Sequence, residues 1–440
     1  MRGIDVKTAV GGILTGDETV QIGSVSTDSR SIYKGTLFIA VRGERFDGND
    51  FIEAAFEKGA HAVIGNREAI PPVGCAYVRV PDSVEALGRL AAWHREQFTI
   101  PVVGITGSVG KTTTKEMIGA VLSARYSTLK TAGNFNNHIG LPLTVLRLTE
   151  SHEAAVIEMG MSARGEISYL TKIAKPTVAV ITNVGLSHIE TLKTQENIRD
   201  AKLEIAEGLP RGGTLLVSGD DTYLQNVQVP GVEVKRFGFG NPDCEFLGKI
   251  IDDDHFSFME TVIRVPVPGR HNLYNALAAV VAGFVCGISP DVAAEGLANY
   301  KTDGIRQTEV EIRPQIKVIC DYYNASPASM AVALEMLQKG EAKRRIAVIG
   351  DMLELGEIGP ACHREIGKKA AEMGINMLFA VGPLAKLAAE EGAALGMETM
   401  HFPDNDALSN ALLHILSPGD RVLIKGSHGM KMEQIFEKIR

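Results

Sequence analysis

The 440-residue sequence has few cysteines, no long apolar run and no excess of basic charge. Its five cysteines lie far apart and form no CxxC pair: Cys75, Cys244, Cys286, Cys320 and Cys362. This spacing argues against a cysteine metal site and predicts reduced thiols in the core. The formal net charge of −8 argues against nucleic acid as the main partner.

Long hydrophobic segments are missing as well. No apolar run reaches about 18 residues, the length that suggests a membrane-spanning helix, so no membrane span is expected. The N-terminal segment lacks the apolar core of a signal peptide. We therefore expect a cytoplasmic protein.

The composition is that of a globular protein with several domains. Hydrophobic residues make up 45% and charged residues 22% of the chain, as in soluble globular proteins. A chain of 440 residues is too long for one ordinary domain. Roughly two to four domains are expected.

Three regions follow one another along the chain. Residues 1–99 mix short apolar runs with turns and include a predicted strand in GTLFIAVRG. From Pro101, continuous apolar runs such as PVVGIT and AAVIEMG alternate with helical patterns, as parallel strands covered on both faces do. From near Asp303, IKVICDYYN and RRIAVIGDM repeat this pattern. We predict an α/β protein with a small α/β domain at 1–99, a central parallel-sheet domain at 100–304 and a C-terminal Rossmann-like domain at 305–440.

A glycine-rich stretch, GITGSVGKTTTKEM from Gly104 to Met117, carries the strongest functional signal. It follows a predicted strand and opens a predicted helix, so backbone N–H groups would face a bound phosphate. The usual phosphate loop has glycine where Ile105 stands, so this P-loop is a variant. Lys111 is expected to reach the β- and γ-phosphates, and Thr112 or Thr113 to bind Mg²⁺. The alternative is a glycine turn with a solvated lysine, which the order of strand, loop and helix disfavours.

Polar residues stand at the ends of predicted strands. Glu158 ends AAVIEMG, and His188 follows TVAVITNVG. Ligands of open α/β sheets bind outside the carboxyl ends of the strands, so a carboxylate beside a phosphate loop is a candidate Mg²⁺ ligand. Either residue alone would more often be a helix cap or a satisfied polar group. Asn272 and Asn275 share one helical face, and helix capping by Asn272 is the alternative to a ligand contact.

Further polar loops follow three predicted strands of the third region. Asp321 and Asn324 follow IKVIC, GDMLELGE follows RRIAVI, and KGSHGMKME follows DRVLI. They indicate one shared crevice, with ordinary turns as the alternative. In the first region, the stretch from Ser26 to Phe51 places serine, aspartate, arginine and glycine turns around one strand. It would suit a nucleotide or sugar phosphate, or equally a hydrated surface.

Taken together, these motifs resemble those of the Mur ligases. The similar central stretches are GITGSVGKTTT, TAGNFNNHIGLPLT, VIEMGMSARGEI, ITNVGLSHIE and GRHNLYNALAA. DYYNASPASM, IGDMLELGE and KGSHGMKME are similar to the C-terminal signatures, and TDSRSIYKGTLFIAVRGERFDG to the UDP-binding segment. The resemblance implies an ATP- and Mg²⁺-dependent ligase of peptidoglycan precursor synthesis, and we expect a monomer. GDMLELGE favours the branch that joins D-Ala-D-Ala to UDP-N-acetylmuramoyl-tripeptide through an acyl phosphate.

The resemblance also implies roles for individual residues. Catalysis is expected of Lys111, Glu158, His188 and Lys202, and Mg²⁺ binding of Thr112, Glu158, His188 and Lys202. The expected ATP contacts are Thr106, Gly107, Ser108, Gly110, Lys111, Thr112, Thr113, Asn275, Arg306 and Asp321. The expected contacts of the UDP-linked substrate are Ser26, Asp28, Ser29, Arg30, Arg42, Gly43, Asn134, Asn136 and Asn137. The dipeptide is expected at Tyr323, Asn324 and Ser329.

Three positions depart from the pattern of the family. Ser326 replaces the second asparagine of an NANP motif, His428 replaces the arginine of KGSRGMK, and Asn49 replaces a histidine after FDG. The first two leave the amino-acid acceptor open. Two alternatives to a dipeptide ligase therefore remain: another Mur-type ligase that adds a diamino acid or glutamate, and a P-loop NTPase or binding protein without ligation.

Lys202 stands on an apolar stripe of a predicted helix. Ile198, Lys202, Ile205 and Leu209 follow helical spacing in TQENIRDAKLEIAEGLP. Burial would lower the lysine pKa and increase the neutral amine that can react with CO₂. A lysine that extends its ammonium to solvent is the alternative. The resemblance implies that Lys202 is carbamylated and binds Mg²⁺.

Overall fold

A computed structural model describes residues 1–43, 46–301 and 307–440. Within these ranges the chain forms three large sheets, of five, seven and six strands, and one small three-stranded sheet. Helices alternate with the strands along the chain, and the mixed α/β class with parallel sheets is confirmed. No helix in these ranges is both long and apolar enough to cross a membrane.

The N-terminal sheet has the order β1-β5-β4-β3-β2, with β1 antiparallel to β5 and the other neighbours parallel. Its strands are β1 (Ile13–Gly16), β2 (Ser24–Ser26), β3 (Thr36–Ile39), β4 (Ala60–Gly65) and β5 (Ala76–Arg79). Its helices are α1 (Gly3–Val10), α2 (Ile52–Glu57) and α3 (Ser83–Arg95). Asp82 caps α3 by accepting hydrogen bonds from the N–H groups of Val84 and Glu85, which fixes where this helix begins.

The central sheet is parallel throughout and has the order β12-β11-β10-β9-β6-β8-β7. Its strands are β6 (Val102–Thr106), β7 (Thr128–Lys130), β8 (Ala154–Glu158), β9 (Val178–Ile181), β10 (Thr214–Ser218), β11 (Glu233–Gly238) and β12 (Phe246–Leu247). Every residue of β6, β8, β9 and β10 is buried, because helices cover both faces of the sheet. The apolar runs predicted as covered parallel strands are therefore confirmed.

Seven helices accompany this sheet. They are α4 (Lys111–Ser123), α5 (Gly140–Val145), α6 (Glu166–Ala174), α7 (Ile189–Leu192), α8 (Gln195–Leu203), α9 (Arg270–Val285) and α10 (Pro290–Ala298). A 3₁₀ turn, Glu204–Gly208, continues α8. In this order β6 lies between β8 and β9. The chain first adds strands on the β8 side of β6 and later adds strands on the β9 side, so the sheet order reverses at β6. The loop after β6 therefore lies at the switch point, where a crevice opens.

A small antiparallel sheet was not predicted from the sequence. It consists of β13 (Lys249–Ile250), β14 (His255–Phe258) and β15 (Thr261–Arg264). The alternating burial of β14, where Phe256 and Phe258 point into the core, was the available signal.

The C-terminal sheet has the order β16-β17-β21-β18-β19-β20, parallel except for β16. Its strands are β16 (Thr308–Arg313), β17 (Ile316–Cys320), β18 (Arg344–Gly350), β19 (Met377–Val381), β20 (Glu398–Phe402) and β21 (Asp420–Lys425). Its helices are α11 (Pro327–Lys339), α12 (Gly359–Glu372), α13 (Ala385–Ala394), α14 (Asn405–Ile415) and α15 (Glu433–Ile439). Because β17, β21 and β18 are neighbours, the three polar loops that follow them lie side by side.

The N-terminal unit is joined to the central unit through the end of α3. Arg95 is only 6% exposed, and its guanidinium donates to the carbonyls of Ala174, Lys175 and Phe98. His94 hydrogen-bonds the carbonyl of Leu148 through Nε2, at 2.9 Å. These bonds hold the first predicted domain against the second.

The five cysteines are free thiols, as predicted. Cys244 and Cys320 are buried, whereas Cys75, Cys286 and Cys362 are half-buried, so the expected core location applies to only two of them. Burial raises the pKa of Cys286 and of Cys320 to about 11, which makes both thiols poor nucleophiles.

Candidate active site

The glycine-rich loop connects β6 to the first turn of α4. Gly110 caps α4 with φ 84°, a left-handed conformation that favours glycine. A side chain at Gly107 would overlap Thr182 Oγ1, and one at Gly110 would lie 2.6 Å from Asn275 Oδ1. Both glycines are therefore required by close approach, and the loop leads into the N-terminus of a helix, where an anion is stabilised.

Asn183, which follows β9, holds this loop in place through three hydrogen bonds. Its Oδ1 accepts the Val109 N–H at 3.0 Å, its Nδ2 donates to the Val109 carbonyl at 2.8 Å, and its own carbonyl accepts the Ser108 N–H at 3.1 Å. Ser108 Oγ in turn accepts the Gly185 N–H at 2.8 Å. Sequence reasoning did not single out Asn183, although TNVG directly after a buried strand was the available signal.

Lys111 is the first residue of α4, and its side chain extends back to the backbone of the loop. Its Nζ donates to the Gly107 carbonyl at 2.7 Å and lies 3.4 Å from the Ser108 carbonyl. The ammonium therefore lies against the backbone of the loop.

Glu158, at the end of β8, is a buried carboxylate with one unsatisfied oxygen. The residue is 1% exposed, and its Oε1 accepts a hydrogen bond of 2.8 Å from Asn136 Nδ2. Its Oε2 has no hydrogen-bond partner among the described residues, and the nearest ammonium, Lys115 Nζ, is 3.8 Å away. A buried carboxylate oxygen without a partner is the type of atom that a divalent cation satisfies.

Lys202 lies at the end of α8 and is 1% exposed, so its ammonium does not extend to solvent. Burial lowers the pKa of Lys202 well below its usual value, and the charge of Lys111 lowers this pKa further. In the described residues, no carboxylate forms an ion pair with Lys202. Ile198 and Ile205 of the predicted stripe are also buried, whereas Leu209 is only partly buried.

His188 stands at the start of α7 and contacts the third domain. Its Nδ1 lies 2.6 Å from Oε2 of Glu354, in the loop after β18. This hydrogen bond, together with the charge of Lys111, holds the pKa of Glu354 below its usual value. Sequence reasoning quoted GDMLELGE but did not single out Glu354.

Asn275 extends from α9 towards the P-loop helix. Its Oδ1 accepts a hydrogen bond of 3.1 Å from Thr114 Oγ1, and its Nδ2 donates to Asn272 Oδ1 at 3.2 Å. The two asparagines therefore share a helical face, as the spacing predicts. Gly269 is the N-cap of α9, so the alternative in which Asn272 caps this helix is wrong.

Asp321, at the end of β17, is paired with a buried lysine that sequence reasoning missed. Lys425 is 1% exposed, and its Nζ donates to Asp321 Oδ2 at 2.6 Å and to the Asn324 carbonyl at 3.0 Å. Lys425 ends the neighbouring strand β21, so the pair follows directly from the sheet order. KGS after an apolar strand was the available signal.

A cleft of about 620 Å³ lies between the P-loop and the C-terminal strand ends. Fourteen of the predicted site residues line it: Ser108, Gly110, Lys111, Thr112, Thr113, Asn136, Asn137, Glu158, His188, Asn275, Asp321, Tyr323, Asn324 and Ser329. Predicted residues outside its lining are Thr106, Gly107, Lys202, Asn134, Ser26, Asp28, Ser29, Arg30, Arg42 and Gly43. Arg306 lies outside the described residues.

Comparison with known proteins identifies the family. Family models match three segments: residues 21–95 match the Mur ligase family catalytic domain, 105–283 the Mur ligase middle domain, and 306–428 the Mur ligase glutamate ligase domain. The UDP-N-acetylmuramoyl-tripeptide--D-alanyl-D-alanine ligase of Bacillus subtilis is 41% identical over 432 residues, which cover 96% of this chain and 94% of that protein. The chain belongs to the Mur ligase family.

Solved structures agree with this assignment. MurF from Acinetobacter baumannii superposes with a TM-score of 0.89 at 31% identity, covering 100% of this chain and 98% of that one. The MurF ligase of Thermotoga maritima in complex with ADP superposes with a TM-score of 0.82 at 30% identity, covering 96% of this chain and 97% of that one. The resemblance to Mur ligases is therefore confirmed, whereas the domain boundaries at 99/100 and 304/305 stay predictions.

In this Mur ligase, the predicted UDP contacts form a separate group in the N-terminal unit. Ser26 Oγ accepts the Asp28 N–H at 2.9 Å, and Asp28 pairs with Arg30 at 2.9 Å. The Arg30 guanidinium lowers the pKa of Asp28 to about 2. The Ser29 carbonyl accepts from Lys58 Nζ at 2.8 Å, so four of the predicted residues are held in one turn.

The other predicted substrate contacts lie in two loops. Arg42 forms an isolated antiparallel backbone β-bridge with Asp47, and the Gly43 N–H donates to the Phe46 carbonyl at 2.9 Å. The Asn134 carbonyl accepts the Asn136 N–H, and Asn137 Oδ1 accepts the N–H groups of Ile139 and Gly140, which starts α5. The second loop lies beside the cleft, whereas the first does not contribute to it.

Two of the three departures from the family pattern have structural partners. Ser326 caps α11, where its Oγ accepts the Ser329 N–H, and serine and asparagine are equally good at this position. Asn49 is buried and accepts the Asn66 N–H at 3.0 Å. His428 is exposed, and its ring centroid lies 5.9 Å from that of Tyr323.

Proposed function

We propose that this Mur ligase joins D-Ala-D-Ala to UDP-N-acetylmuramoyl-tripeptide, with conversion of ATP to ADP and phosphate. The observation that carries the proposal is the shared cleft, in which a P-loop of the central unit faces the polar strand ends of the C-terminal unit. Curated relatives of nearly equal length, from Bacillus subtilis and Escherichia coli among others, bear the name of this activity.

The chemistry requires activation of a carboxylate, which is a poor electrophile. The terminal carboxylate of the tripeptide takes the γ-phosphoryl group of ATP, and ADP leaves. The dipeptide amine then attacks the acyl carbon, and the tetrahedral intermediate collapses with loss of phosphate and a proton. Each step keeps the phosphate next to a fixed cation, which is how most phosphoryl transfers are accelerated.

Lys111 and the P-loop are proposed to hold the phosphates. The loop N–H groups at the start of α4 bind the phosphate oxygens, and the Lys111 ammonium stabilises the charge that develops during transfer. Asn183 keeps the loop in this shape through its bonds to Val109 and Ser108. Asn275 and Asp321 are proposed to contact the nucleoside from either side of the cleft.

Mg²⁺ is proposed to bind at Glu158. Glu158 offers an unsatisfied buried carboxylate oxygen, Thr112 and a carbamylated Lys202 would add oxygen ligands, which Mg²⁺ prefers, and His188 would add one nitrogen. Bound Mg²⁺ would neutralise charge on the phosphate oxygens. We propose that Lys202 is carbamylated, as the resemblance to Mur ligases implies; its burial and lowered pKa support this, because a neutral amine can add to CO₂ with loss of one proton.

The two other substrates are proposed to enter from opposite units. The UDP group would bind the turn of Ser26, Asp28, Ser29 and Arg30, and the peptide would extend past Asn136 to the P-loop. The dipeptide would bind beside Tyr323, Asn324 and Ser329, which line the C-terminal side of the cleft. We also propose a cytoplasmic monomer.

Phosphate release tests the ligase reaction against a simple NTPase. A ligase of this kind releases phosphate from ATP only when UDP-N-acetylmuramoyl-tripeptide and D-Ala-D-Ala are both present. Rapid release from ATP alone would favour the NTPase alternative. Release with a single amino acid instead of the dipeptide would favour another Mur-type ligase.

A further inference from the structure

Glu354 joins the C-terminal unit to a proposed metal ligand of the central unit. We propose that Glu354 is a positioning residue, which orients His188 for binding Mg²⁺. Through this bond, the position of the C-terminal domain against the central domain is coupled to metal binding. The inference rests on the proposed function, because it takes His188 as a metal ligand.

Two hydrogen bonds and one close approach hold the loop after β18 against α7. Glu354 Oε2 lies 2.6 Å from His188 Nδ1, and the Glu354 carbonyl accepts the Glu190 N–H at 3.2 Å. A Cβ built on Gly356 would lie 3.3 Å from the Glu190 side chain. The backbone contacts fix the loop, and the loop places the carboxylate on the imidazole.

The hydrogen bond determines which nitrogen of His188 is free for a metal. An ionised carboxylate only accepts hydrogen bonds, so Nδ1 must carry the proton. In the neutral imidazole, Nε2 then keeps its lone pair, which is the form that ligates a cation. A carboxylate on the second nitrogen is the usual device that orients metal-binding histidines.

The backbone supports a specialised role for this pair. His188 has φ 65° and Glu354 has φ 63°, so both partners of the bond adopt the left-handed region that non-glycine residues rarely occupy. Residues persist there when the surrounding structure holds them, and such residues are concentrated at functional sites. Here each of the two is held by the contacts with the other unit.

Two other contacts between described residues of the two units lie away from the proposed metal ligands. Lys339 Nζ pairs with Asp253 at 2.6 Å, and His271 Nε2 bonds Gln307 Oε1 at 2.9 Å. Within the described part of the third region, 307–440, the Glu354 side chain is the one that hydrogen-bonds a proposed Mg²⁺ ligand. Because linkage is reciprocal, metal binding at an oriented His188 must also favour the docked C-terminal unit.

The test measures how Glu354→Gln changes the Mg²⁺ dependence of ADP binding, by calorimetry on the full chain. We expect the apparent affinity for Mg²⁺ to fall roughly 10- to 100-fold, as for other partners of metal-binding histidines, while ADP binding without Mg²⁺ stays as in the wild type. Glu354→Ala, which removes the acceptor, is expected to lose at least as much. Glu357→Gln is the matched control, since Glu357 lies exposed in the same loop.

A double-mutant cycle with His188→Ala separates positioning from a general structural effect. If Glu354 acts through His188, adding Glu354→Gln to His188→Ala should cause no further loss of Mg²⁺ affinity. Additive losses, an unchanged Mg²⁺ affinity of Glu354→Gln, or an equal loss of ADP binding with and without Mg²⁺ would each overturn the inference. A wild type that binds Mg²⁺ and ADP but forms no peptide product refutes the proposed function and leaves this coupling measurable.

Discussion

On unfolding, the wild type should take up one proton more than the Lys202→Met variant. In metal-free and CO₂-free buffer, Lys202 has a pKa well below that of an exposed lysine, because it is 1% exposed and lies near Lys111. Between the lowered folded pKa and the usual unfolded pKa, the amine is neutral in the native chain and protonated in the unfolded chain. Unfolding therefore binds one proton in this range of pH.

The magnitude follows from proton linkage. One proton taken up on unfolding changes the free energy of unfolding by about 1.4 kcal/mol per pH unit. Because the unfolded chain binds more protons, the stability of the wild type relative to Lys202→Met rises with pH across this range. The rise ends above the usual lysine pKa, where both states are neutral. At lower pH, Lys202→Met should be the more stable protein.

Proton uptake can be measured without assuming a single unfolding transition, which a chain of several domains need not show. The native and the fully unfolded protein are compared in weakly buffered urea near pH 9, for the wild type and for Lys202→Met. We expect the wild type to take up about one proton more. Lys172→Met is the control, since Lys172 is 60% exposed, and it should behave as the wild type does. Equal uptake by the wild type and Lys202→Met would refute the neutral buried amine.

Three further predictions concern activity and shape. Lys111→Ala should abolish ADP formation while the chain still folds, since the phosphoryl charge loses its fixed cation; near-normal turnover of a folded variant would refute the P-loop role. Lys202→Ala should lose activity and regain part of it when a short carboxylic acid is supplied, whereas full activity of the wild type in CO₂-free buffer would contradict carbamylation. ATP and the UDP-linked substrate together should close the domains around the cleft, and X-ray scattering profiles identical with and without them would count against closure.

The central sheet could be predicted because strands such as β6, β8, β9 and β10 are buried on both faces. Runs such as the one ending in Glu158 are apolar throughout, and this pattern is local, so the strand and the polar residue at its end follow from the sequence. The P-loop was equally visible, because Gly107, Gly110 and Lys111 stand between a strand and a helix. The small antiparallel sheet was missed because its strands have only 2, 4 and 4 residues, so their alternation is too short to stand out and they lack a long apolar run.

Contacts between residues that are distant in sequence could not be predicted in the same way. Glu354 and His188 are distant in sequence, and no local pattern indicates that two domains bring them together. Lys425 pairs with Asp321 because β21 lies beside β17, an order that the sequence does not reveal. The resemblance to Mur ligases provided the roles of individual residues, and these roles stay predictions until substrates are tested.

The most direct test of the central claim is the mass of the product. The purified protein is incubated with ATP, Mg²⁺, UDP-N-acetylmuramoyl-tripeptide and a panel of amines that includes D-Ala-D-Ala, glutamate and diamino acids. The account predicts one new product, the UDP-linked pentapeptide, formed from D-Ala-D-Ala with one ADP and one phosphate for each amide bond. A product that contains a single added amino acid, or ADP formed without any new peptide product, would contradict it.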